Sequence, residues 1–466
     1  MMLTRMNKKN IMYCILLLNQ GEITVNRDHI KTVKFGGSSL SDANQFKKVA
    51  AIIKSDKSRR YVVPSAPGKR YKDDIKVTDM LYKCNSFAEK GESIDVYFDG
   101  IKKRYNEIIK ELGLTDFSLE EDFEEIKRNI NNKIGSDYAA SRGEYLNAKI
   151  MSRYLGYDFI DAAEVIFFKE DGRLDEEKTN TVLKKYLSEH RCAVIPGFYG
   201  STPDGQIKTF SRGGSDITGS IVARACDAEL YENWTDVSGF LSADPRIVND
   251  PKPIEIITYK ELRELSYMGA TVLHEDAIFP VRTVGIPVQI KNTNEPESPG
   301  TLIVPKTDIV DTERVITGIA GKKNFSVITL EQDMMNSAVG FGRRVLEVFE
   351  KHGMVFEHLP SGIDTMSVVI STAQIEGHRD ELINELCHAV HPDCIYIDDN
   401  MALLAVVGRG MIGETGTAAR VFGAIAKAGV NLRMIDQGSS EINIIVGVDE
   451  NDLEKAMNAI YDEFVR

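Results

Sequence analysis

Paired cysteines are missing from this 466-residue chain. Its six cysteines, Cys14, Cys84, Cys192, Cys226, Cys387 and Cys394, stand singly with no CxxC pair. That spacing argues against a disulfide ladder or a zinc site and fits a reducing cytoplasm. Positive charge is short as well: 57 Lys and Arg stand against 70 Asp and Glu, a net charge of −13. General nucleic-acid binders concentrate cations against phosphates, so that class is set aside, and any anionic ligand has to meet cations arranged locally. Long hydrophobic runs are lacking. Ile11 to Leu18 follows Arg5, Lys8 and Lys9 in the manner of a signal peptide, but eight residues cannot span a bilayer and no small-residue cleavage site follows. Neither a membrane span nor secretion is expected, and residues 1–30 read as a dispensable extension or a misassigned start. The single tryptophan, Trp234, is expected in a core.

Apolar residues make up 42% of the chain, enough for the two or three domains that this length implies. The most informative segment is Thr32-Val33-Lys34-Phe35-Gly36-Gly37-Ser38-Ser39-Leu40, an apolar strand that runs into a lysine, two glycines and two hydroxyls. A glycine pair brings backbone N–H groups close to a phosphate, and a helix that follows adds donors and the positive end of its dipole. That helix has an apolar stripe, Phe46, Val49, Ala50 and Ile53, with Ser41 or Asp42 as its cap. A plain tight connection fits the same residues, so the segment alone leaves phosphate binding and structure both open.

From Thr32 to about Pro305, β-rich runs (Tyr61–Val63, Phe159–Asp161, Cys192–Pro196, Ala228–Tyr231, Val288–Ile290) alternate with helical stretches (Asp42–Lys54, Tyr138–Leu155, Tyr259–Tyr267). This is the pattern of an α/β domain with a mostly parallel sheet, where ligands bind at the carboxyl ends of strands, as Lys34 would. The charge-dense run from Tyr97 to Lys133 reads as solvated surface helices without chemistry. Beyond Pro305 a shift of 76 residues (340 to 416) superposes the chain on itself: Gly340, Arg344, Val345, Lys351, Gly353 and Gly362 match Gly416, Arg420, Val421, Lys427, Gly429 and Gly438. Each copy reads as βαββα completed by a further strand, a ferredoxin-like module. The expected division is 31–305, 306–392 and 393–466, with the strand near 315–320 as a possible partner of the last module.

Three further stretches carry candidate chemistry. Thr209-Phe210-Ser211-Arg212-Gly213-Gly214-Ser215-Asp216 supplies an arginine able to grip a carboxylate, a second Gly-Gly turn, and an acid able to orient Lys34 or hold Mg²⁺, just before a helix Ile217–Cys226. Trp234 to Arg246 is a polar loop with Asp236, Asp244 and Arg246, which suits a nucleotide or a solvated turn. Ser141-Arg142-Gly143-Glu144 is read as opening the helix Tyr145–Leu155, where Glu144 caps it or accepts an ammonium group.

These motifs, in order and with Gly269-Ala270-Thr271-Val272-Leu273-His274, resemble the aspartate kinase (aspartokinase) family from about Lys31 to Arg466, including a tail like that family's paired ACT domains. The resemblance implies the amino acid kinase fold, a mostly parallel sheet sandwiched by helices, plus two C-terminal ferredoxin-like ACT domains. It implies transfer of the ATP γ-phosphate, with Mg²⁺, to the β-carboxylate of L-aspartate, the first step towards lysine, threonine, methionine and diaminopimelate. By the same resemblance, Lys34 and Asp216 are catalytic, and Gly36, Gly37 and Ser38 cradle phosphate. Glu144, Arg212, Ser215, Ser38 and Thr78 bind aspartate, and Thr235, Asp236, Phe240, Leu241, Asp244, Arg246 and Thr271 lie on the ATP side. Thr271 departs from the family's usual lysine, a charge that Lys291 is a candidate to replace.

Paired ACT modules imply feedback by lysine or threonine at a site matching Met335, Asn336, Ser337, Val339, Gly340, Phe341, Phe356, Glu357 and Ser361, and a homodimer or homotetramer. A helix start at Gly340 suits a carboxylate and Glu357 suits an ammonium group, although a module core also explains the segment. The repeat runs to Arg466, so a fused homoserine dehydrogenase is not expected. Gly408-Arg409-Gly410-Met411-Ile412-Gly413 with Asp436 mimics a dinucleotide fingerprint, but it lies within the repeat and too little chain follows for a Rossmann domain. Pro67-Gly68-Lys69-Arg70 mimics part of a Walker A motif and reads as a loop near the site, while His274 reads as structural. Two competing functions remain at this level: a catalytically silent amino-acid sensor, and a kinase of another carboxylate or carbamate.

Overall fold

A computed structural model of the chain describes residues 29–269, 273, 275–307 and 314–465. Its first part is built on an eight-stranded sheet. The strand order is Ile256–Thr258, Thr301–Val304, Val288–Asn292, Leu230–Thr235, Lys31–Phe35, Arg59–Pro64, Ala193–Val194 and Asp158–Phe159. From Val288–Asn292 to Asp158–Phe159 the strands are parallel, and Thr301–Val304 runs antiparallel to Val288–Asn292. Alternation along each strand sends Val33, Phe35, Val62 and Trp234 into one core and Tyr61, Val63 and Ala193 into another. Helices cover both faces, which is why the strands read as almost continuous apolar runs.

The helix after the first turn is Ala43–Lys54, and of its two candidate caps it uses Asp42, whose carboxylate accepts from the Asn44 and Gln45 N–H groups at 2.9 and 3.0 Å. The run from Tyr97 to Lys133 forms the helices Asp95–Glu111 and Glu120–Asn131, but it is more than a solvated face. Phe98, Ile101, Tyr105 and Phe123 are buried in the first core, on one stripe of each amphipathic helix.

A six-stranded antiparallel sheet begins at Gly318, in the order Phe356–His358, Thr365–Ser371, Gly318–Glu331, Cys394–Val407, Asn443–Asp449, Met434–Asp436. Its two central strands are 14 residues long and serve both copies of the repeat. Phe325–Glu331 pairs with Thr365–Ser371 and with Cys394–Met401, whereas Gly318–Lys322 pairs with Leu403–Val407. Register shifts between Lys322 and Val327 mark the change from one half to the other. Helices Phe341–Lys351 and Arg379–Val390 cover the first half and Thr417–Lys427 and Leu453–Phe464 the second, each pair over its own core. No helix among the described residues is long and apolar enough to cross a membrane.

Candidate active site

Lys34 stands at the carboxyl end of the strand Lys31–Phe35 and is 7% exposed. Its Nζ lies 2.5 Å from Asp216 Oδ1 and donates to Asn233 Oδ1 at 3.5 Å. Asn233 Nδ2 in turn donates to Asp216 Oδ1 at 2.8 Å. The sheet register sets Asn233 directly beside Lys34. Asp216 reaches both from the first turn of the helix Gly214–Ala225, which starts three residues earlier than the sequence suggests, after Gly213 in a left-handed conformation (φ 56°). Asn233 is not among the sequence candidates. Its signal is the polar pair Glu232-Asn233 inside an otherwise apolar buried strand.

The Gly-Gly turn uses its missing side chains in two ways. A Cβ on Gly37 would lie 2.9 Å from the Ala66 carbonyl oxygen, and one on Gly68 would lie 2.6 Å from the Gly37 carbonyl carbon, so the two loops need glycine where they touch. At Gly36 the nearest atoms to such a Cβ are the Trp234 carbonyl oxygen at 3.6 Å and Lys34 Nζ at 3.7 Å. Its bare backbone therefore flanks the ammonium group. Gly37 has φ −63°, so close approach rather than handedness selects it. Ser38, half-buried, opens the one-turn helix Ser38–Leu40, and Ser39 Oγ lies 2.8 Å from Thr293 Oγ1. Pro67 to Arg70 is indeed a loop beside the site. Arg104, 3% exposed and drawn from the charge-dense run that reads as lacking chemistry, braces it by donating to the Gly68 and Ser41 carbonyls and, at 2.7 Å, to Asp74. Hydrogen bonds from Arg70 and Arg104 hold the Asp74 carboxyl well below the usual range.

Glu144 corrects one expectation. The helix spans Ser136–Leu155, so Ser141 to Glu144 lie inside it and Glu144 caps nothing. It is 6% exposed, and its Oε2 has no hydrogen-bond partner. Burial pushes its pKa up to about 8, against the opposing pull of the Ala66 backbone and the charges of Arg142 and Lys34. A buried carboxyl oxygen without a donor has the capacity to accept from a ligand, an ammonium group among them. Gly143 lets the helix pack closely on the Ala66 loop, since a Cβ there would meet Ala66 Cβ at 2.8 Å. Arg142 is held among the rings of Tyr138, Tyr145 and Tyr199, at 4.8, 4.6 and 5.1 Å from their centroids. Thr78 lies in the first turn of Val77–Glu89, a helix whose Val77 and Leu81 pack on Gly143. Ser215 is buried beside Gly197, where a Cβ would lie 2.6 Å from the serine Oγ. Arg212 is exposed and forms no ion pair among the described residues, leaving its guanidinium open to a ligand carboxylate.

The other candidate side lies along the loop after the strand Leu230–Thr235. Thr235 Oγ1 donates to the exposed Asp236. Phe240 and Leu241 form a short strand paired with Pro253–Ile254. Asp244 is gripped by Arg246 through its Nη2 at 2.6 Å and its Nε at 3.0 Å, which lowers the carboxyl's pKa. Phe240, Leu241, Asp244 and Arg246 line a cavity of about 270 Å³ whose far wall is Ile319, Ala320 and Gly321 of the antiparallel sheet. Thr271 and His274 lie outside the described residues. Lys291 donates to the Ser298 carbonyl at 2.8 Å and sits 5.2 Å from the Trp234 ring. The register pairs it with Trp234, on the face of the sheet opposite Lys34. Because Thr271 lies outside the described residues, the suggestion that Lys291 replaces the charge missing there stays open. Trp234 is buried, as expected.

Some of the regulatory candidates lie together, at the Thr365 end of the strand Thr365–Ser371, whereas Phe356 pairs near its other end, with Ile370. Met335 to Ser337 form one turn, tied by the Asn336 N–H to the Ile363 carbonyl, close to Ser361. Val339 is 94% exposed, Gly340 (φ 79°) starts the helix Phe341–Lys351, Phe341 is buried, and Phe356 and Glu357 lie on the edge strand. Arg344, absent from the candidates, donates to the Val339 carbonyl and adds positive charge at that helix start. Among the described residues, one group of three metal-ligand side chains converges, His352, Glu381 and Glu385, on the regulatory helices and not at Lys34. For Mg²⁺ the Lys34 turn offers Asp216, and Asp236 directly follows the neighbouring strand Leu230–Thr235. These hard oxygens suit an ion carried mainly by ATP phosphates rather than caged by protein.

The amino acid kinase family profile matches residues 30–292, and an ACT domain profile matches residues 404–464. Aspartokinase 3 of Bacillus subtilis (strain 168) is 40% identical over 452 residues, covering 93% of this chain and 98% of the relative. The crystal structure of Clostridium acetobutylicum aspartate kinase is 55% identical, with a TM-score of 0.86 over 94% of this chain and 100% of that one. E. coli aspartokinase III, solved with aspartate and ADP and again with lysine and aspartate, is 25% identical with TM-scores of 0.73 and 0.71, over 94% of this chain and 100% of each. The chain belongs to the aspartokinase family of amino acid kinases.

Proposed function

We propose that this chain is a feedback-regulated aspartate kinase, which transfers the γ-phosphoryl group of ATP to the β-carboxylate of L-aspartate and forms 4-phospho-L-aspartate. The observation that carries this reading is the convergence of a held lysine and an unpartnered buried carboxylate: Lys34 fixed by Asp216 and Asn233, and Glu144 beside Ala66 with Oε2 free. A phosphoryl site that also takes an amino acid needs both.

The acceptor carboxylate of aspartate ordinarily titrates near about 3.9 and is ionised at neutral pH, so no general base is required. Catalysis consists of bringing two anions together and neutralising the transferred group. Glu144 takes the α-ammonium group, Arg212 a carboxylate, and Thr78, Ser38 and Ser215 further contacts. An oxygen of the β-carboxylate bonds to the γ-phosphorus, and the bond to the β,γ-bridging oxygen breaks with its electron pair leaving on ADP. Lys34 balances charge on the γ-phosphoryl oxygens, and Asp216 with Asn233 holds its ammonium in place. Mg²⁺, where bound, supplies further neutralisation of the phosphates. Thr235, Asp236, Phe240, Leu241, Asp244 and Arg246 receive the nucleotide.

The antiparallel sheet is read as two ACT modules, 306–392 and 393–466, with the strand from Gly318 completing the second. The assembly is a cytoplasmic, single-function homodimer or homotetramer, inhibited by lysine or threonine bound at Met335 to Phe341 and Phe356 to Ser361. E. coli aspartokinase III solved with lysine supports the first of these effectors. A coupled assay with ATP, Mg²⁺ and L-aspartate, with hydroxamate trapping of the acyl phosphate, is the test. Turnover with aspartate is expected, and none at saturating substrates sinks the reading.

A further inference from the structure

The three side chains that converge on the regulatory helices point to a second kind of ligand. His352 caps the carboxyl end of the helix Phe341–Lys351, and Glu381 and Glu385 lie one turn apart on the helix Arg379–Val390. A spacing of four sets both carboxylates on one helix face, with His352 opposite. One ligand atom from each of the three lies within 4.8 Å of the others. His352 Nε2 and Glu385 Oε1 are 3.4 Å apart. That nitrogen is nonetheless shut off from solvent with no hydrogen-bond partner among the described residues. A buried polar atom left in this state calls for a ligand or a functional reason.

An ion fits where a hydrogen bond does not. With metal–nitrogen and metal–oxygen distances of about 2.0–2.2 Å, two ligands of a tetrahedral site stand about 3.4 Å apart. The His352 to Glu385 pair already has that spacing, and Glu381, the more exposed carboxylate, closes on it by a side-chain rotation. His378 Nδ1 lies 3.4 Å from Glu381 Oε2, and its ring centroid is 6.5 Å from that of His352. A histidine so placed orients the carboxylate, as outer partners of metal ligands do. On the open side Glu381 and Glu385 border a cleft of about 880 Å³ with Val348, Lys351 and His388, which gives an ion and a water ligand a way in. The negative end of the helix Phe341–Lys351 favours a cation beside His352. The Lys351 ammonium, exposed at the rim, opposes that cation only through water. An imidazole selects against Mg²⁺, which takes oxygen ligands, and one nitrogen with two carboxylates suits Zn²⁺.

We propose that His352, Glu381 and Glu385 bind one divalent transition-metal ion of the Zn²⁺ type, with water completing its shell. The ion cross-links the two helices that cover the first half of the regulatory sheet and stabilises that half. It lies outside the reacting centre and takes no part in phosphoryl transfer, so the inference stands apart from the kinase reading.

The test uses the full chain, stripped by a chelator and free of nucleotide. Titrated with Zn²⁺ against a chromophoric zinc chelator, wild type is expected to take up one equivalent per chain with a Kd on the order of micromolar or below. Glu385→Gln and His352→Leu, each short of a ligand, should bind at least about 10- to 100-fold more weakly, the scale of loss when a metal's surroundings are altered. Zn²⁺ should raise the thermal midpoint of wild type and leave that of Glu385→Gln unchanged. Co²⁺ in place of Zn²⁺ should give the visible absorption of a tetrahedral centre in wild type alone. Glu381→Gln, at an exposed position, decides the matter where the other variants fail to fold, and the same loss is expected from it. A plain ion pair between protonated His352 and Glu385 would take up no metal, and a wild type that binds none overturns the proposal. An equivalent that all three variants retain, or one that excess Mg²⁺ displaces, overturns it equally.

Discussion

A carboxyl group with a pKa near 8 is mostly protonated at pH 7, and burial puts Glu144 in that state before an ammonium group reaches it. Binding the α-ammonium of aspartate favours the ionised form, so the site must release a proton as it fills. Aspartate affinity is therefore expected to rise with pH between 6 and 8, by up to about tenfold per unit, and to level off above 8. Calorimetry in buffers of different ionisation enthalpy checks this: about one proton released per aspartate at pH 6.5, and none in Glu144→Gln. The stability sign is the reverse of the usual carboxylate. The folded pKa is raised above the ordinary glutamate value of 4.5, so the contribution is full below that value and is lost as pH rises towards 8. Glu144→Gln should thus gain thermal midpoint relative to wild type from pH 5 to pH 8.

Asn233 makes the second prediction at this scale. Asn233→Ala leaves the Lys34 to Asp216 pair in place but removes the bridging amide, and kcat should fall about 10- to 100-fold with a near-normal fold, as for lost positioning groups. Lys34→Ala should abolish turnover. Unchanged kcat in either variant refutes its assigned part. Lys34, Asp216 and Glu144 are legible because each sits in a distinctive local motif. Asn233 and Arg104 are not, because their partners lie 17 and 199, and 30 to 63, residues away in sequence, and only the sheet register and helix packing bring them close.

Secondary elements follow the same division. The helix Tyr259–Tyr267 and the apolar stripe of Ala43–Lys54 match the sequence reading, since period and caps are local signals. The helix Ser136–Leu155 departs from it around Glu144, because Gly143 looks like a break before a new start. In fact it is a contact glycine under Ala66. The loop containing Gly68 supplies the prediction at this scale. Gly68→Ala places a methyl 2.6 Å from the Gly37 carbonyl carbon, forcing the phosphate turn away from its neighbour. A loss of about 1–3 kcal/mol in denaturant stability is expected from such overpacking, with kcat falling further than that loss explains. Retention of both wild-type values shows that the two loops move apart freely.

For the whole molecule, the sequence repeat locates both halves of the regulatory region, but the division at residue 392 does not follow the hydrogen bonding. Cys394–Val407 pairs with the first half at one end and belongs to the second at the other, and Gly318–Lys322 has its partner more than 80 residues downstream. A chain stopped after His391 would leave one whole edge of Gly318–Glu331 open and Gly318–Lys322 without any strand partner. It is expected to give aggregated or poorly folded protein by size exclusion and circular dichroism, whereas a well-folded monomer would show that the halves are independent.

The strand Gly318–Glu331 ends just before the turn Met335–Ser337 and begins as a wall of the 270 Å³ cavity. At about 3.3 Å per residue its 14 residues form a rod of roughly 45 Å. The register shifts between Lys322 and Val327 divide it into two stretches with different partners, and slipping by a single residue within either would turn its side chains to the opposite face. The turn Met335–Ser337 and the wall of the 270 Å³ cavity thus stand at opposite ends of one backbone strand whose two stretches belong to different halves of the sheet.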